Sequence, residues 1–254
     1  VFFVGSLSDV TARRVARFHS RTPPTNSGHG LRVFLTGFNM QKIGEGLQMT
    51  TYYPERMCCP RCEHAFSYMA VGSYNTFGAT FYTDGYIEGP MYDDQGRLFR
   101  CPQCRSLGWH DELVCEEEAD EDELASVFEP DVGPVPLEHY PALLDEAPWR
   151  GPDEEKYVRI AAFWAANLPR RGNPGTSAPF TDSEERNLLA LLERLGDSSQ
   201  DRLMRAEILR EMGRFEECLE VLMGLEDAEL EGLVKLIREL AMGRDTRVVA
   251  IPES

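Results

Sequence analysis

Two Cys-x-x-Cys pairs constrain this chain more than any other feature. The first is Cys59-Pro60-Arg61-Cys62 and the second Cys101-Pro102-Gln103-Cys104, each with proline directly after its first cysteine. Tetrahedral zinc requires four thiolate or imidazole ligands, and a tight turn of this spacing aims two sulfurs at one point. Two such turns complete a four-cysteine shell and leave no position open for a substrate. Cys59, Cys62, Cys101 and Cys104 are therefore read as the ligands of one structural Zn2+. Cys58 adjoins Cys59 but does not keep the two-residue spacing to Cys62. A redox dithiol is the other use of such a pair, and it wants a strand-to-helix context that neither pair has. His64 and His110 are read as groups beside the site or on the surface, and Cys115 and Cys218 as ordinary reduced cysteines.

The 38 residues from 63 to 100 exceed the usual spacer between such pairs about twofold, so they need structure of their own. They read as β. Ser67 to Val71 is a candidate strand, and Met49 to Pro54 a candidate edge strand before the first pair. Asp84-Gly85 stands between the β-rich runs Thr80–Thr83 and Tyr86-Ile87, as in a two-residue hairpin turn. A second turn over Asp93-Asp94-Gln95-Gly96 feeds Arg97 to Arg100 into the second cysteine pair. Over about residues 57 to 115 the chain resembles a zinc ribbon with an enlarged hairpin insertion. That resemblance implies a small antiparallel sheet around a structural zinc, and no activity. The aromatic residues of this region, among them Tyr74, Phe81, Tyr86 and Phe99, are read as packing for the sheet. A stacking platform for single-stranded nucleic acid would need basic neighbours, and between Thr80 and Phe99 only Arg97 is basic, against four acids.

Charge narrows the partner class. The net charge is −17; residues 1 to 39 hold five arginines against Asp9, or +4, which leaves −21 on residues 40 to 254. A body that acidic repels phosphate backbones, so generic nucleic-acid binding is disfavoured because few phosphates can be neutralised. Seven cysteines with two metal-type pairs fit a reducing, cytoplasmic setting. No stretch approaches the ~20 apolar residues of a membrane span.

Four segments follow. Residues 1–39 form a weakly ordered basic extension, with the Arg-rich, acid-poor composition of a transit peptide, and Met40 or Met49 is a candidate natural start. Residues 40–115 form the zinc-ribbon domain. Residues 116–152 read as an acidic, Pro-rich linker; the stretch from 116 to 155 carries fifteen acids against Arg150 alone. Apolar residues inside it, including Leu137, Tyr140, Leu143 and Trp149, are expected to dock on the flanking domains. Residues 153–254 read as an all-helical domain. Tyr157, Ile160, Ala161, Trp164 and Leu168 share one face of a helix that ends before Pro169, Thr181 caps a second helix over 182 to 195, and a helix pair surrounds Gly213. The overall class is α+β.

Ala206, Leu209, Gly213, Phe215, Cys218, Leu222 and Leu225 recur at spacings that resemble one tetratricopeptide repeat. Arg202, Cys218 and Leu230 depart from the pattern. One repeat cannot bury both its faces, so helices at 182–195 and 227–241 are expected to stack on it. The tail from Thr246 to Pro252 is β-like and expected to dock or fray. The combination resembles uncharacterised prokaryotic proteins that join a zinc ribbon to tetratricopeptide repeats. No nucleophile, base and orienting group can be assembled, and no phosphate loop is present. The expected function is a non-enzymatic zinc-binding adaptor that holds protein partners through its helical part. The alternative is a nucleic-acid-associated ribbon in a transcription or RNA-processing complex, with Arg56, Arg61, Arg97, Arg100 and Arg105 as its contact face. A metal-dependent hydrolase built on His64 or His110 is the third and weakest reading.

Overall fold

Period-two patterning around each cysteine pair produces a β-hairpin at each. The computed structural model describes residues 50–93, 96–115, 120–171 and 178–252. The extension 1–39 lies outside them, as do parts of the acidic block, of the turn at 93–96 and of the loop that follows Arg171. Strand β1 (Thr51–Cys58) pairs antiparallel with β2 (Ala65–Ser73), in a register that sets Cys58 opposite Ala65 and Arg56 opposite Ser67. Pro54 is tolerated in β1 because the sheet has two strands and its outer edge needs no donor. Strands β3 (Thr80–Phe81) and β4 (Ile87–Glu88) form the inserted hairpin, and β5 (Leu98–Arg100) pairs with β6 (Leu107–Trp109). Small antiparallel sheets followed by helices make the class α+β, as expected.

The inserted hairpin departs from expectation at its tip. Its loop runs from 82 to 86 rather than over two residues, closed by Tyr82 N–H donating to Tyr86 O at 3.0 Å, with Gly85 at φ +82°. The wider loop turns the Asp84 carboxylate inward, where it accepts the Tyr86 N–H at 3.1 Å.

After β6 come a single turn α1 (His110–Leu113), α2 (Glu121–Ser126, capped by Asp120), a 3-10 turn at Leu137–His139, and α3 (Tyr140–Glu146). The apolar side chains of the acidic stretch dock as expected, since Tyr140 and Leu143 are buried. Helix α4 (Pro152–Asn167) starts on Pro152, whose missing N–H is one of the helix's unsatisfied donors anyway. Helices α5 (Asp182–Arg194), α6 (Ser199–Glu211), α7 (Phe215–Leu222) and α8 (Glu231–Met242) complete the set. Thr181 caps α5 reciprocally with Glu184, and Gly213 at φ +75° makes the turn between α6 and α7.

The described residues form one compact unit, and the reason lies in α4. One buried cluster joins Leu98 and Trp109 of the β5–β6 hairpin, Tyr140 and Leu143 of α3, and Val158, Ala161 and Ala162 of α4. The core thus runs across the boundary expected at 152/153. Trp109 Nε1–H donates to Pro148 O at 2.8 Å, and Trp164 Nε1–H to Asp84 O at 3.0 Å. Of the expected face of α4 only Ala161 is buried, Tyr157, Ile160 and Trp164 are half-buried and Leu168 is exposed, while Val158, Phe163 and Ala166, outside that face, are buried. A helix covered by hairpins and by other helices buries most of its circumference, which a one-face reading does not capture. The C-terminal tail docks against β3: Thr83 N–H donates to Val249 O at 2.9 Å and Ile251 N–H to Phe81 O at 2.7 Å.

Candidate metal centre

Each cysteine pair is the turn of a hairpin, and the two turns repeat one backbone design. Cys59 N–H donates to His64 O and Glu63 N–H to Cys59 O, both at 2.9 Å; Cys101 N–H donates to Ser106 O and Arg105 N–H to Cys101 O, also at 2.9 Å. The residue after the second cysteine is left-handed in both turns, Glu63 and Arg105 each at φ 60°. Glycine would take that conformation without strain, so its absence removed a signal that would have marked both turns in the sequence.

The four sulfurs converge as the spacing predicts. Cys59 Sγ lies 3.7 Å from Cys104 Sγ and Cys62 Sγ 3.6 Å from Cys101 Sγ, and all four lie within 4.8 Å of one another. A tetrahedron with metal–sulfur bonds of about 2.3 Å has edges of about 3.8 Å, so the sulfur cage fits such an ion. Ser106 Oγ sits 3.0 Å from Cys104 Sγ, and this hydroxyl together with a backbone N–H holds the Cys104 thiol down to about 6. Cys62 goes the other way, to about 12: a backbone hydrogen bond at His64 opposes the rise, but burial and the three facing sulfurs outweigh it. Sulfurs this close cannot all ionise unless a cation sits among them.

His64 and His110 stay out of the cluster. His64 Nε2 pairs with Glu129 Oε1 at 2.9 Å and His110 Nε2 with Glu55 Oε2 at 2.7 Å. Cys218 is buried and reduced, its thiol pushed up to about 11 by burial, in line with expectation.

Cys115 corrects the sequence reading. It is not an ordinary reduced cysteine but is disulfide-bonded to Cys58, with Cα atoms 5.4 Å apart. The strand end and the segment after α1 are held together by an isolated bridge between Met57 and Val114 and by Cys115 N–H donating to Arg56 O at 3.3 Å. Closing a loop of 57 residues stabilises by about 4 kcal/mol. A metal held by Cys59 and Cys104 would already close most of that loop, and the dozen or so residues left over would make the disulfide worth about 3 kcal/mol. Cys58→Ala/Cys115→Ala should therefore lower urea stability by about 3 kcal/mol in metal-loaded protein and by more after chelation. Equal losses in the two states would show that metal and disulfide do not share the loop.

Compared with known proteins, the chain matches no family model, no curated protein and no solved structure. Among the described residues no helix is long and apolar enough to cross a membrane.

Proposed function

We propose that this protein is a non-enzymatic adaptor in which one structural zinc, held by Cys59, Cys62, Cys101 and Cys104, staples a ribbon-like pair of hairpins to a tetratricopeptide-like helical part that binds protein partners. The closed four-sulfur cage carries the reading. Four thiolates saturate a tetrahedral ion, so it would organise the fold rather than activate a water or a carbonyl. The helical part supports the second half: α8 packs on both α6 and α7, Ala206 and Cys218 are buried where the helices meet, and Met223 and Met242 stand 67% and 62% exposed. Exposed apolar side chains beside an acidic surface favour a protein partner over a phosphate backbone.

Three of the five arginines available to the nucleic-acid reading are already engaged. Arg56 pairs with Glu123, Arg100 with Glu146, and Arg97 stacks over Trp109 and Tyr157 at 5.2 and 5.4 Å. Arg170 and Arg171 pair with Glu184 and Asp84. Retention of partner proteins should therefore survive nuclease and Arg61→Ala/Arg105→Ala, and fall on Met223→Glu/Met242→Glu. Nuclease-sensitive retention that depends on the two arginines would replace the adaptor with the nucleic-acid-associated ribbon.

A further inference from the structure

A groove of about 430 Å³ lies where the inserted hairpin, the segment before α3, and α4 meet. Its walls are aromatic: Tyr86 and Tyr92 come from the insertion, Tyr140 from α3, and Tyr157 and Trp164 from α4. The last two are seven residues apart, two turns of helix, and so share a face. Prolines 134 and 136 close one side.

The rings are held in place before any ligand arrives. Tyr140 and Tyr157 meet edge to face at 6.0 Å with their hydroxyls 3.1 Å apart, and Tyr157 Oη accepts the Arg97 N–H at 3.0 Å. Tyr86 meets Trp164 edge to face at 5.9 Å, and Trp164 is pinned by its bond to Asp84 O. Ordering entropy is therefore already spent when something binds.

Charge selects what that something is. Glu88 and Asp93 line the groove, and no Lys, Arg or His does among the described residues. The carboxylates are oriented by Tyr82 Oη–H, 3.1 Å from Glu88 Oε2, and Tyr52 Oη–H, 3.4 Å from Asp93 Oδ2. The chain uses the same rings for its own cations: the Arg171 guanidinium lies 3.9 Å from the Tyr86 centroid and that of Arg97 5.4 Å from the Tyr157 centroid. Asp84 neutralises Arg171, and Arg97 offsets only one of the two groove carboxylates. The balance at the groove stays negative, within a body of charge −21. Anions are repelled, and a neutral apolar ligand would leave the negative charge of the carboxylates uncompensated. A strongly hydrated primary ammonium loses more on entering aromatic walls than a methylated one does.

We propose that this groove binds a methylated alkylammonium group, carried by a free amine or by a lysine side chain. This goes beyond the adaptor reading and does not depend on the zinc assignment. Tetramethylammonium and a short peptide with one trimethyllysine, titrated into the full metal-loaded chain and followed by indole fluorescence and calorimetry, should both bind saturably. The peptide's neutral tert-butyl isostere should bind about tenfold more weakly, because ring quadrupoles and carboxylates act on charge. Glu88→Gln/Asp93→Asn and, separately, Tyr92→Leu should weaken both cations about tenfold while leaving the melting temperature near that of the parent. Tighter binding of the peptide than of tetramethylammonium assigns the source to a protein tail; equal binding assigns it to a free amine. No saturable response, equal binding of the isostere, insensitivity to the groove variants, or preference for a proline-rich peptide would each overturn the proposal.

Discussion

Cys101→Ser should yield protein without stoichiometric zinc and with both cysteine-bearing hairpins loosened. Two-stranded hairpins are marginal alone in water, and the described residues show no strand pairing between β1–β2 and β5–β6. Structural zinc contributes apparent free energies of about 10–16 kcal/mol in small four-ligand peptides, so its loss exceeds any single packing change here. The effect should spread beyond the hairpins. Leu98 and Trp109 belong to the cluster that also holds Tyr140, Leu143 and Val158, so loosening β5–β6 uncovers one face of α4. Elemental analysis of protein purified without added metal should give about one equivalent, and chelator should lower the thermal midpoint of the helices together with that of the sheets. Stoichiometric zinc in Cys59→Ser/Cys62→Ser, or a helical transition indifferent to chelator, would refute the assignment or the shared core respectively.

Asp84→Ala should cost about 3–5 kcal/mol, the range for removing one partner of a buried ion pair. The Asp84 and Arg171 side chains are 0% and 4% exposed, and Asp84 Oδ2 also accepts from Asn167 Nδ2 at 3.1 Å. Arg171 Nε and Nη1 have no hydrogen-bond partner among the described residues, so the substitution leaves a guanidinium in the interior against the rings of Tyr86 and Tyr82. Glu211 moderates the loss. Its carboxyl is held well above the usual carboxylate range, first by burial and then by the charges of Glu207 and Asp84. Removing Asp84 takes away one of the charges that oppose its ionisation, which places the expected cost at the low end of the range. Urea denaturation of Asp84→Ala, Arg171→Met and the double variant tests this: the double variant should be more stable than the sum of the two losses implies. Strict additivity would show that the two side chains do not hold each other.

The pairing of the cysteine turns was legible because ligand spacing is local chemistry. Cys59 to Cys62 and Cys101 to Cys104 each read as one turn in isolation, and the fold needed only to bring two such turns together. Helices α5 to α8 were legible for a similar reason: a cap at Thr181, a turn at Gly213 and apolar spacing all act within a few residues. The Cys58–Cys115 bond was not, since nothing local distinguishes those two thiols from Cys218 until β1 and α1 are adjacent.

Residue type and spacing by themselves thus determined the four-sulfur set, the α+β class and the positions of the later helices. Only the tertiary structure decided that Asp84 is an interior ion-pair partner rather than a turn residue, that Arg170 and Arg171 are spent on intramolecular carboxylates, and that five aromatic side chains wall a groove. Burial is the physical reason. A carboxylate's or a ring's role depends on which groups from distant parts of the chain exclude water from it, and sequence-local propensity carries no information about that.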